Sequence, residues 1–578
     1  MPMTESTNAG CMELLRRRMF MAIASSVVAQ FLFMSCAILI TNLSVTHPVS
    51  WIRDTWSIVT CLRMWCYFLV LAAVILLQGI ICSKNYLNSP IYRKSRFDAF
   101  RAMFTPHNVL VGSLHVAVGM VLVWLHLSLE DGEYGSLAKE CKTIGGSCLV
   151  EEHYFLLLGG LWTGIYYFAK TNFLGLRYLQ FPIMPQSKFI QVKRGIGAIL
   201  PSAMLGAVWP ALYLLGFYYF LGTYFRGAAA STLFLALEGE PLDGISRLLN
   251  PSLIFHIWLY AALFVLTMNT MHLLFQAYLT EWTPFDISKR AVFNNEAQTV
   301  TLSDALGMDE VPIMQHLGYL DLVNLAQKDK TRRACLFTLS QPGGHPYNWN
   351  CVIEQCVRLI RRFAADINDV CLVKQEVRVS SNEKTTADVL DKTYAYHMRN
   401  LVASQNGGDS RNDNDIAKSE MPSEQLIVGY FRNKWENFVS YLLSKPLIFY
   451  FFGERNDTKI RHSLLSGQTV VWAADAISSL AIVSLKEDPY GVVQKDVPSI
   501  VETLLSLKQS LDKLQKTNFL MRKPQNDDKT IRQILTSLRM ATRRSIYRIV
   551  SNFRDYIDDL ALEPQVRDQL QSFLAYRE

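Results

Sequence analysis

Cys141 and Cys148 bracket a Lys-Thr-Ile-Gly-Gly-Ser hexapeptide. Two thiols so spaced close a disulfide in an oxidising compartment and stay free thiols in a reducing one. Four histidines, His115, His126, His256 and His272, sit in apolar stretches, the first two eleven residues apart and so on one face of a helix. A haem would need a histidine on each of two facing helices at matching depth; without that pairing these are polar residues satisfied inside a helix bundle. The other nine cysteines, Cys351 and Cys356 among them, lack the paired spacing of a zinc site and read as reduced thiols. No P-loop, GxGxxG, HExxH or GxSxG occurs, and His345, His397 and His462 have no neighbouring Cys or acidic pattern. The expectation is a protein that is not an enzyme, with no cofactor and no metal.

The histidines and cysteines must be positioned by six charge-free apolar stretches: Met19 to Leu43, Met64 to Cys82, Val109 to Leu129, Tyr154 to Ala169, Gly195 to Tyr224 and Ser252 to Tyr278. Each reaches or approaches the ~20 residues with which a helix crosses ~30 Å of hydrocarbon. Met19 to Leu43 is too long for a secretory h-region and lacks a small-residue cleavage site, so it reads as a retained first span. None of the six contains Asp, Glu, Lys or Arg, which weighs against a pump or proton-coupled carrier. Gly160 and Gly164 form a GxxxG that predicts close helix approach, and Pro201 and Pro210 predict a kink in the fifth stretch. No apolar stretch after residue 280 is expected to be long enough to span.

Orientation follows from loop charge. The N-terminus and the second and fourth loops hold thirteen Lys and Arg, the other three loops six, which places both termini on the cytosolic side and Cys141 and Cys148 on the opposite one. Past residue 280 there are 38 Lys and Arg against 37 Asp and Glu. A tail so nearly neutral exerts no general pull on nucleic acid.

The tail reads as helical. Apolar residues recur at helical spacing around Leu317, Leu320, Leu322 and Leu325, then Val352, Cys356, Leu359 and Phe363, with a break over Gln341 to Pro346. Residues 404–425, rich in Gly, Asn, Asp and Ser, read as a disordered linker and a platform for phosphorylation. Beyond it, Ile500, Leu504, Leu507, Leu511 and Leu514 form one stripe, and Ile531, Leu535, Leu538, Ile549, Phe553 and Ile557 another, as the buried faces of a bundle. Arg539, Arg543 and Arg544, with Arg532 and Arg548, load one helix with charge, either as a solvated face or as a contact for an acidic partner or membrane surface. The run Leu447 to Phe452, carrying Phe449, Phe451 and Phe452, is too short to span; it is a core segment or a wedge resting on the bilayer. The fold class is thus all-α. A six-helix transmembrane bundle (19–280, after a short N-terminus, 1–18) precedes a predominantly helical domain with blocks 281–403 and 426–578.

Phe337 to Trp349, with Ser340, Gln341, Pro342, Gly343, Gly344, His345 and Pro346 at its centre, closely resembles the Ser-Gln-Pro-Gly-Gly-His-Pro signature of the transmembrane nucleoporins of the Ndc (nuclear division cycle) family. Tyr450 to Glu454, Val471 to Ala473 and Glu487 to Val493 resemble that family's C-terminal block. The resemblance implies a nuclear pore membrane anchor supporting pore assembly in the nuclear envelope, with the endoplasmic reticulum as a second location. Its implied partners are the lipid bilayer and soluble nucleoporins, notably an ALADIN-type WD-repeat protein and RRM-containing inner-ring nucleoporins, with self-association open. The signature is either a docking element presenting His345 and Trp349 or a folding turn capped by a buried Trp349. Readings from other classes are a multi-pass transporter and a haem-binding membrane protein.

Overall fold

The computed structural model describes residues 5–43, 47–87, 93, 95–129, 134–141, 147–174, 179, 181, 186–237, 241–287, 300–339, 344–371, 445–453, 458–516, 526–557 and 559–574. Ser340, Gln341, Pro342 and Gly343, His397 and the 404–425 linker lie outside them. The chain divides into two compact units: residues 1–90 with 99–355, and residues 91–98 with 356–578.

The first unit contains α1 (Glu5–Thr41), α2 (Pro48–Thr60), α3 (Leu62–Leu87), α5 (Pro106–Leu129), α6 (Glu151–Leu174), α7 (Lys188–Gly206), α8 (Val208–Leu233), the short α9 (Ile245–Leu248) and α10 (Pro251–Leu279); α4 (Arg96–Met103) precedes α5. The strands among the described residues are β1 (Ala138–Glu140) and β2 (Ser147–Leu149), paired antiparallel with Lys139 opposite Cys148. The most buried helix of the bundle is α10, which packs on α1, α5, α6, α7 and α8. Its start is set by Pro251 in the first turn and by Asn250, whose side chain accepts from the Ser252 N–H at 3.1 Å.

Five predicted stretches lie in helices long and apolar enough to cross a bilayer: Gly10–Thr41, Leu62–Leu87, Pro106–Leu129, Lys188–Leu233 and Pro251–Leu279. The predicted fourth lies in α6, whose Gly, Tyr, Thr and Trp content lowers its hydropathy. That helix can afford polar character because, between residues 151 and 170, the exposed positions are Ile165 and Lys170.

One expectation is corrected. Gly467–Glu487, far past residue 280, also has the length and hydropathy of a span. Its apolar window is 83% buried within the protein, against 72% for Pro251–Leu279 at the centre of the bundle, so protein covers most of its apolar surface.

The fifth stretch breaks between its two prolines. Helix α7 ends at Gly206 and α8 begins at Val208, with Pro201 inside α7 and Pro210 in the first turn of α8. Pro210 has no N–H to offer the turn before it, and at the break the Trp258 indole N–H donates to the Met204 carbonyl at 3.0 Å. A neighbouring helix thus satisfies a backbone group where the helix is interrupted.

The first unit continues through α11 (Leu302–Leu306), α12 (Pro312–Lys328) and α13 (Lys330–Leu336). Residues 347–371 form the next helix, α14. The second unit holds α15 (Pro446–Phe452), α16 (Thr458–Leu465), α17 (Gly467–Glu487), α18 (Val497–Lys516), α19 (Asn526–Asn552) and α20 (Pro564–Leu574). The central helix is α17, packed on α16, α18 and α19. Every member of both leucine and isoleucine stripes is buried, from Ile500 to Leu514 and from Ile531 to Ile557.

Candidate functional site

The chain leaves the last apolar helix at residue 279, and four elements of the first unit hold that exit. Arg18, buried on α1, donates Nη1 to the Glu281 carbonyl at 2.8 Å and to the Leu279 carbonyl at 3.3 Å. Lys188 at the start of α7 pairs with Glu281 at 2.7 Å. Asp321, wholly buried on α12, accepts from the Trp282 indole at 3.1 Å and the Phe285 N–H at 3.0 Å. Arg332 on α13 completes the node, bidentate to Asp321 at 2.9 and 2.6 Å and donating to the Phe285 carbonyl at 2.7 Å. The four segments come together because buried ions demand full satisfaction. The Asp321 carboxylate raises the Arg332 guanidinium above its ordinary value. Asp329 caps α13 through the Arg332 N–H and sits below the usual carboxylate range, held there by the Thr331 hydroxyl and that N–H.

Sequence reasoning missed this node. Its one signal was a lone acidic residue between Leu320 and Leu322 on an apolar helix. Beside it, the His316 imidazole stacks on Phe181 with centroids 4.4 Å apart, and burial pushes it down to about 4, against the opposing pull of its bond to the Pro312 carbonyl.

At the signature, Trp349 is fully buried with its ring 6.2 Å from that of Phe337, while His345 is exposed. The indole is thus packed inside, and of the pair His345 alone is exposed. The later block has its own turn: Asp488 accepts from the Tyr490 and Val493 N–H groups at 3.0 Å each, and Gly491 adopts φ +65°, a conformation that favours glycine.

Cys141 and Cys148 are joined by a disulfide, Cα atoms 5.2 Å apart, at the β1–β2 hairpin. Close by, Glu151 accepts from the Tyr218 hydroxyl at 2.9 Å and the Leu242 N–H at 3.0 Å and pairs with Arg226 at 3.4 Å. Three of the four bundle histidines donate Nδ1–H to the carbonyl four residues back, His115 to Val111, His126 to Leu122 and His256 to Ser252, while the His272 ring lies 5.3 Å from that of Tyr86. Gln78 adds its amide 3.1 Å from the His115 ring. Burial raises the Cys356 thiol, in keeping with a core residue.

In the second unit, Arg544 donates through Nη2 to both carboxylate oxygens of Asp475 at 2.7 and 2.8 Å, and Arg539 and Arg543 face Asp512 at 3.6 and 4.0 Å. Much of this positive face is thus returned to the chain's own carboxylates. Phe449, Phe451 and Phe452 are about half exposed on α15, which has no buried residue.

The model of the family described as "Nucleoporin protein Ndc1-Nup" matches residues 13–571. Similar proteins include Nucleoporin NDC1 of Homo sapiens, 25% identical with 96% of each chain covered. Nucleoporin Ndc1 of Drosophila melanogaster is 27% identical over 99% of this chain and 100% of its own. Nucleoporin ndc-1 of Caenorhabditis elegans is 27% identical over 46% of this chain and 42% of its own. A match running from the first apolar helix to the last helix of the second unit shows that the chain belongs to the Ndc1 family of transmembrane nucleoporins, structural components of the nuclear pore membrane rather than enzymes.

Proposed function

We propose that this chain anchors the nuclear pore complex in the nuclear envelope and supports pore assembly by recruiting soluble nucleoporins through its C-terminal half. The observation that carries the reading is the Asp321 node. A membrane anchor that transmits load needs a stiff exit from the bilayer, and here Trp282 and Phe285, three and six residues after α10, are held by Asp321 and Arg332 rather than released into a linker. Loop charge puts both termini on the cytosolic and pore side, and the Cys141–Cys148 bridge belongs on the lumenal side, where disulfides persist. The soluble nucleoporins to be gripped are of the ALADIN-type WD-repeat and RRM-containing inner-ring kinds.

Crosslinking mass spectrometry on intact nuclear envelopes tests this directly. Crosslinks from residues 445–574 to soluble nucleoporins are expected. Protease protection of those same residues within the lumen would defeat the proposal, since no scaffold component could reach them.

A further inference from the structure

Helix α15 reads Pro-Leu-Ile-Phe-Tyr-Phe-Phe and none of its side chains is buried. Leu447 is 75% exposed and Phe449, Tyr450, Phe451 and Phe452 each slightly over half. A run of this composition in a water-facing unit should fold inward, and a patch that does not is an interaction surface. Its neighbours within the second unit name the partner. The Arg96 guanidinium lies 3.6 Å over the Tyr450 ring, and the Phe97 and Phe452 rings are 4.7 Å apart. Arg96 and Phe97 open α4, which ends at Met103, three residues before α5, an apolar helix of membrane-crossing length, begins at Pro106. Phe97 is itself exposed, and Lys445 stands exposed at the start of α15.

We propose that α15, together with Arg96 and Phe97, lies in the plane of the membrane, its aromatic rings among the lipid headgroups and upper acyl chains and its basic residues against anionic headgroups. Three features select lipid over a protein partner. Eight residues of chain separate Phe97 from Pro106, the start of a membrane-crossing helix. The aromatic and basic composition is that of a membrane–water interface, where rings bury an apolar body at headgroup depth. The apolar surface is also spread around α15 rather than confined to one groove-fitting stripe, which suits a fluid solvent better than a shaped pocket. The inference rests on the reading of the first unit as a membrane bundle, and it adds a second, in-plane attachment from the water-facing unit.

The test uses the full chain reconstituted in liposomes with and without phosphatidylserine, carrying p-benzoylphenylalanine in place of Phe449 or Phe451. Positive and background controls carry it in place of Phe220, exposed on α8, and Tyr490, exposed in the second unit. Lipid adducts at 449 and 451 are expected several-fold above those at 490 and rising with phosphatidylserine. Adducts at 220 with background yield at 449 and 451 would overturn the in-plane contact while leaving the bundle intact. Background yield at all four positions would overturn both. Crosslinks at 449 and 451 to a soluble protein when nuclear extract is added, with no lipid adduct in its absence, would also overturn it.

Discussion

Asp321 illustrates how one side chain decides more than its neighbours. Asp321→Ala would strand the Arg332 guanidinium and the Trp282 and Phe285 N–H groups, at a cost of about 3–5 kcal/mol for a broken buried pair. The expected result is a lower melting temperature in detergent and new protease cleavage just after residue 281. Arg332→Ala combined with Asp321→Ala should cost less than the two single changes added together. His316 makes a pH prediction. Its folded value of about 4 lies below the ordinary 6.5, so between these limits the unfolded chain binds more protons and stability declines as the pH is lowered. The contribution is fully present above pH 6.5 and is lost on acidification through about 4, by roughly 3 kcal/mol at most. Melting curves of His316→Gln should show a shallower acid slope than the parent. Neither residue's role was legible in the sequence, because an Asp or His on an apolar helix reads alike whether it meets a guanidinium, a ring or water. The Cys141–Cys148 pair and the carbonyl-satisfied histidines were legible, since short spacing and helical geometry alone bring those atoms within reach.

Between helices, the GxxxG of α6 shows its physical purpose. A Cβ on Gly160 would stand 2.5 Å from the Gly119 carbonyl oxygen, one on Gly164 2.6 Å from that of His115, and Gly119 is blocked in turn by Gly160. These contacts are with backbone, which cannot rotate away. Gly160→Ala should therefore prise α5 from α6 and cost about 1–3 kcal/mol, read as a fall in melting temperature. Gly197→Ala on α7 meets nothing within 4 Å and should leave the melt unchanged. Periodicity foretold the close approach but not its partner, because motif spacing marks one helix and says nothing of which neighbour it faces. Gly467–Glu487 exposes the complementary blind spot. Its composition suits a bilayer, and only Asp475, paired with Arg544, and Ser478, bonded to Ser545, reveal that it lies in a protein core.

The whole molecule joins an apolar bundle to a helical tail, residues 281–578, of almost balanced charge, and its sidedness can be read with one modification. An Asn-X-Thr acceptor engineered between Cys141 and Cys148 should gain a glycan, seen as an endoglycosidase-sensitive mobility shift. The same acceptor placed in residues 404–425 should not. The reverse pattern would invert the proposed orientation. Hydropathy, loop charge and the signature around Pro342 to Trp349 determined by themselves the all-α class, the apolar spans and the family, because transfer of side chains out of water and short-range backbone rules act on local sequence. Tertiary structure alone decided that Trp349 is buried, that the arginines of α19 find Asp475 and Asp512, and that Asp321 locks the exit from the bundle. Those outcomes depend on which distant residues meet, and the energy of a buried charge or a blocked glycine is set by the partner rather than by the chain around it.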